Sequence, residues 1–203
     1  MAEVAIPHAG GAPAAGPPAR LDFQIVPRRG LIFPAVWGVL LVAAIASDKL
    51  WPLEFMHVVS GAAWTIVDLF LGFVLGPIIG SLAIPARVEF TTRLMPKMVV
   101  IMPTVVAGTL AAGWQLAAKT GTLDSGNPAH GWVVASFIVV AVMSVIALGL
   151  LEPANVAVLT ELKKEQPNPA IVERLMKRFI YCAAITGAMQ VATLVIMTKI
   201  ASI

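Results

Sequence analysis

The chain is written in long apolar blocks separated by short polar ones. Residues 31–46, 98–118, 131–151 and 179–198 contain no Asp, Glu, Lys or Arg, and residues 55–86 contain one, Asp68. Blocks of about 20 apolar residues match the roughly 30 Å hydrocarbon core of a bilayer. Inside hydrocarbon, only helices and closed barrels satisfy every backbone N–H and C=O. Uninterrupted apolar runs lack the alternation of a barrel strand. The pattern predicts an all-α fold, a polytopic membrane helical bundle with about five transmembrane helices.

The blocks differ in detail. The first, "LIFPAVWGVLLVAAIA", is short, follows Arg28-Arg29 and ends "AIAS". That resembles a signal-peptide core and cleavage site, but it is expected to be retained as a span. The second runs from about Leu53 to Ile84 and should tilt or protrude, with a kink at Gly76-Pro77 where Pro77 removes a helical hydrogen bond. The third is expected from about Pro96 to Ala118. The fourth starts near His130 and continues as an amphipathic extension to about Lys164, before the turn "EQPNPA". The fifth opens amphipathic, "IVERLMKRF", and then becomes purely apolar. Residues 1–28, rich in Ala, Pro and Gly, are expected to form a flexible cytoplasmic tail, in which His8 has no special role. Residues 29–203 form the bundle.

Composition supports this division. The chain is 59% hydrophobic and 12% charged, where soluble domains carry roughly 25% charged residues. Its pI near 9.3 does not indicate nucleic acid, because the basic residues sit between the blocks. Eleven of the 14 (Arg20, Arg28, Arg29, Arg87, Arg93, Lys97, Lys163, Lys164, Arg174, Lys177 and Arg178) fall on one side of a five-span topology. Lys49, Lys119 and Lys199 fall on the other. The positive-inside rule then places the N-terminus in the cytoplasm and the C-terminus outside. The single cysteine, Cys182, excludes an internal disulfide or a CxxC pair and reads as a small buried apolar residue.

Candidate chemistry concentrates in the second block. At 100° per residue, positions 57, 61, 64/65, 68, 72, 76 and 80 form one stripe: His57, Gly61, Trp64 with Thr65, Asp68, Gly72, Gly76 and Gly80. Small residues on one face admit a neighbouring helix or a flat cofactor. His57, about one turn below the outer surface, suits haem or copper ligation, proton relay or a simple hydrogen bond. His130, opening the fourth span on the same side, is a candidate second ligand or an interfacial loop residue, with Lys49 and Lys119 near enough in depth for haem propionates. Asp68 lies about 16 Å further along the helix, near the bilayer middle. An ionised carboxylate is expensive there, so a neutral acid, or one paired with Thr65, Gln190 or water, is expected. Met95, Met98 and Met102 share a helical face, a spacing that suits Cu(I) or core filling. Arg87, Glu89 and Arg93 can pair across a turn. No dinucleotide, P-loop or HExxH motif occurs, and no catalytic constellation identifies a substrate.

The stretch "HVVSGAAWTIVDLFLGFVLGP", with His57, Gly61, Trp64 and Pro77, resembles the His-x3-Gly-x2-Trp … Pro helix of the CopD-like superfamily of bacterial integral membrane proteins. That group includes copper-resistance D proteins, the membrane-bound protoporphyrinogen oxidase of the HemJ type and the membrane domain of a cytochrome-linked urate oxidase. A following basic residue, Arg87 or Arg93, and Pro103 with Gly108 on the next helix also fit. The resemblance covers about residues 50–200. It departs at Thr65-Ile66, at Asp68 and in the additional first span. It implies a multi-pass protein of the bacterial inner membrane whose outer-side histidine, here His57, binds haem b in some relatives, while others are associated with copper uptake. The leading expectation is a haem b protein in electron transfer or a redox complex, with His57 as axial ligand, His130 as a second, and Gly61 and Trp64 shaping the pocket. Copper handling through His57 and the methionine face is the alternative. A cofactor-free structural subunit, docking other membrane subunits or its own copies, is a third.

Overall fold

A computed structural model describes residues 22–203; the expected tail up to that point, including His8, lies outside the described residues. Among the described residues there are no strands. Five helices among these residues are long and apolar enough to cross a membrane: α1 (Arg28–Ala46), α2 (Leu50–Ser81), α3 (Ile84–Lys119), α4 (His130–Leu162) and α5 (Pro169–Ala201). The chain is a multi-pass membrane protein. Large side chains facing outward are apolar, among them Val39, Val42, Ile66, Phe73, Ile138, Val145 and Val195, as expected where the surrounding medium is hydrocarbon.

Short connections force neighbours to run antiparallel. Three residues join α1 to α2 and two join α2 to α3. The first, 47–49, turns on Asp48, whose φ of 57° is left-handed, a region that Asp tolerates better than most residues. Lys119, closing α3, pairs with the Asp48 carboxylate and ties the two ends of this side together. The opposite side is fixed by Arg87, which donates to the Gly80 and Leu82 carbonyls at 2.8 and 3.2 Å and so caps the end of α2. The expected Glu89–Arg93 pair forms at 2.7 Å. The 163–168 turn is held by Glu161, which accepts from Lys164 and from the Asn168 amide. The Asn168 side chain then caps α5 by accepting from Ala170 and Ile171.

The most extensive pairing is α2 on α3; α5 lies against α2 and α4, and α1 rests on α2 and α3. The principal core joins Trp64 and Leu71 of α2, the Met95, Met98, Met102 and Val105 run of α3, Met143 and Val158 of α4, and Phe179 and Ala183 of α5. A smaller core of Ala44, Leu53, Met56 and Ala112 lies at the His57 end. Before α1, Phe23 and Ile25 lean on the principal core, and Lys163 sits 5.4 Å from the centre of the Phe23 ring.

Two helices carry a widened turn. Phe70–Leu75 in α2 and Ala147–Leu151 in α4 are π-helical, closed by i→i−5 bonds from Gly76 to Leu71 and from Glu152 to Ala147. Each π turn ends two residues before a proline, Pro77 or Pro153. A proline ring clashes with the carbonyl four residues back and offers no N–H, and one extra residue in the turn relieves both. The kink expected at Gly76-Pro77 therefore takes the form of a π turn immediately upstream. The third span differs from expectation: α3 begins at Ile84, and Pro96 and Pro103 are accommodated inside it.

Candidate functional site

His57 is half-buried on α2 and faces α3. Its Nδ1 lies 3.0 Å from the Thr109 carbonyl oxygen. A carbonyl only accepts, so Nδ1 carries the proton and Nε2 of the neutral ring holds a free lone pair. The ring fits because α3 has no side chain opposite it. A Cβ on Gly113 would stand 2.7 Å from His57 Cε1 and 2.8 Å from Nδ1. One turn below, Gly108 gives the same kind of access to Ser60 and Trp37, whose Oγ and Nε1 are hydrogen-bonded at 3.1 Å, joining α1 to α2. An imidazole whose Nδ1–H is held by a backbone carbonyl is the usual preparation of a metal-ligating histidine. The residues that prepare it, Thr109 and Gly113, were missed in the sequence; the small-residue run "GTLAAG" (108–113) is the signal that carried them.

The rest of the stripe on α2 divides between two neighbours. Gly61 faces Thr109 on α3 at ordinary contact distance, and Gly80 faces open space. Gly72 and Gly76 are taken up by α5. A Cβ on Gly72 would meet the Ala184 Cα at 2.6 Å and its backbone N at 2.7 Å, and one on Gly76 would meet Ile180 Cγ2 at 2.7 Å. In return, Gly187 lets α5 approach the backbone of Asp68 and Leu69. The paired positions 65 with 190, 72 with 184 and 76 with 180 are the register of two antiparallel helices in close contact. This part of the glycine face packs helices.

Trp64 and Asp68 turn into the same α2–α5 seam, 1% and 0% exposed. Thr65 donates to the Gly61 carbonyl at 2.8 Å and lies 3.0 Å from Gln190 Oε1 on α5. The Trp64 indole and the Thr186 hydroxyl face the Asp68 carboxyl, yet neither carboxyl oxygen completes a hydrogen bond, and Trp64 Nε1 and Gln190 Nε2 are also unpaired. The sequence offered Thr65 and Gln190 as partners of Asp68; the two bond to each other instead, one turn away.

His130 is half-buried at the first residue of α4, and its Nδ1 is buried without a hydrogen bond. His57 packs on α3, and the His130–Ile146 part of α4 packs chiefly on α5. Among the described residues no group of three or more His, Cys, Asp or Glu side chains is gathered for a metal. Lys119, expected near a haem propionate, is engaged by Asp48. Met95, Met98 and Met102 do share a face, and it is turned inward, 1%, 8% and 4% exposed, among the apolar side chains of the principal core.

For haem, the group the resemblance implies, His57 fits as a ligand, with its ring oriented and Nε2 free. The glycine face beyond Gly61 does not fit a porphyrin, because the α5 backbone fills it, and Trp64 is buried behind it. Two open grooves are formed elsewhere. One of about 630 Å³ is lined by Leu148, Pro153, Val156, Ile171 and Leu175 with Glu152 and Glu161 at its wall. Another of about 340 Å³ lies beside Trp132, Val195 and Lys199.

Comparison with known protein families, with curated proteins and with solved structures finds no match to this chain.

Proposed function

We propose that the protein is a subunit of a membrane redox complex of the bacterial inner membrane, and that His57 supplies an axial imidazole to a haem b held between this chain and a partner subunit or second copy. The observation that carries this is the His57 Nδ1 bond to the Thr109 carbonyl over a Gly113 gap, which orients the ring and frees Nε2. Packing of α5 against Gly72 and Gly76 leaves a flat ligand no room in that seam, so His57 would hold the haem outside it, with another chain completing the site. His130 is the second candidate ligand, supported by its unpaired buried Nδ1. When bound, the group supplies one-electron chemistry. The chain's own Thr109 carbonyl and the gap at Gly113 orient the imidazole.

The charge bias supports an orientation with the N-terminus cytoplasmic and the C-terminus outside, which puts His57 toward the outer face. Copper handling draws less from the geometry, since the methionine face lies within the apolar core; a cofactor-free structural subunit is the remaining reading. Purification from native membranes with haem extraction and metal analysis separates the three. Stoichiometric b-type haem supports the proposal, stoichiometric copper without haem supports the second reading, and neither cofactor in a stable complex supports the third.

A further inference from the structure

The polar groups in the α2–α5 seam do not belong to the His57 site, and haem ligation does not account for them. Trp64, Asp68, Thr186 and Gln190 are 1%, 0%, 0% and 4% exposed. Two acceptors, Asp68 Oδ1 and Oδ2, and two donors, Trp64 Nε1 and Gln190 Nε2, stand there with no hydrogen bond. Burying such a group unpaired costs about 1–3 kcal/mol each, so four in one seam need a reason. The Thr186 hydroxyl does not supply it, because its proton goes to the Cys182 and Ala183 carbonyls at 3.0 and 3.1 Å. No charge answers Asp68 either. On α3 no Asp, Glu, Lys, Arg or His occurs between Lys97 and Lys119, and on α4 none occurs between His130 and Glu152. On α5 the one titratable group on that face is the buried Cys182, one turn from Thr186. On α2 itself the next is His57. Trp64 and Thr186 stand against the Asp68 carboxyl, and Gln190 lies one turn along α5 from Thr186; a buried water, which accepts twice and donates twice, is the complement of such unpaired N–H groups and carboxyl oxygens in one seam.

We infer that the Trp64–Asp68–Thr186–Gln190 seam is a proton-binding site in the middle of the bundle, in which Asp68 takes up and gives back a proton through bound water. On uptake a new O–H bond forms at an Asp68 oxygen. An O–H bond of hydronium breaks, and its electron pair stays on the departing water. Once neutral, that water accepts from Trp64 and Gln190, and Gln190 is held in turn by Thr65.

The test uses the full chain in lipid nanodiscs with 13C-carboxyl aspartate. Of the four aspartates, Asp22, Asp48 and Asp124 are exposed, so the buried Asp68 signal is separable. The site predicts a carboxyl resonance that titrates apart from the other three. It also predicts a protonated-carboxyl infrared band that shifts in D2O, is lost in Asp68→Asn and moves in Gln190→Leu. An Asp68 signal that keeps one protonation state over the whole pH range of the folded protein overturns the inference. A band that never exchanges with D2O does the same, leaving Asp68 as a fixed packing acid. Should Asp68→Asn fail to fold, the labelled wild type and Gln190→Leu decide the matter alone.

Discussion

Each ring nitrogen of an intramembrane histidine needs a partner, and His57 has found one for Nδ1 only. Its place was legible in the sequence, as a lone imidazole in an apolar run. Its setting was not, because Thr109 contributes a backbone oxygen that no residue pattern encodes, and Gly113 matters for the side chain it lacks. Gly113→Ala should push the ring off the Thr109 carbonyl, since the new Cβ would lie 2.7 Å from Cε1. The expected result is a shifted ligand-field spectrum with the fold retained, read by optical spectroscopy and circular dichroism. In the α1–α2 turn, Lys119 beside the exposed Asp48 holds that carboxyl below its ordinary value of 3.8, through a hydrogen bond and charge attraction. The folded value is the lower one, so the pair's contribution is complete above the ordinary value and is lost as pH falls through the lowered one. Lys119→Ala should return the Asp48 titration, followed by carboxyl NMR, to the ordinary range.

At the scale of the helices, prolines were legible and their consequences only partly so. Pro77 announced a distortion in α2, and the π turn ahead of it is the form taken. Pro96 suggested a helix start, yet α3 runs through it, as membrane helices do when neighbours and local adjustments satisfy the freed carbonyl. The stripe of small residues on α2 was drawn from an unbroken 100° period. The stripe in fact faces two helices, Gly61 meeting α3 while Thr65, Gly72 and Gly76 meet α5, and the change of neighbour falls ahead of the π turn. Gly72→Ala should cost about 1–3 kcal/mol, the usual range for overpacking, because its Cβ would fall 2.6 Å from a backbone atom. Gly38→Ala, with nothing within 4 Å, should be neutral or stabilise by up to about 1 kcal/mol. Thermal unfolding of both variants in the same detergent checks the contrast.

For the molecule as a whole, five spans follow from charge segregation and block length alone, which is why the fold was the most readable part. Helix neighbours were not readable, since every apolar block presents similar faces and only close contacts such as Gly72 on Ala184 select a partner. The proposed orientation predicts that a cysteine introduced at Asp124 reacts with an impermeant reagent from outside intact cells and that one at Glu165 does not. The reverse labelling contradicts it. The central claim is that His57 Nε2 is an iron ligand, and the reduced-minus-oxidised optical spectrum of the native complex carrying His57→Ala tests it most directly. The expected result is a reversible b-type Soret signal in the wild type that disappears in the variant while the complex stays assembled. A wild-type signal that persists unchanged in His57→Ala would contradict it.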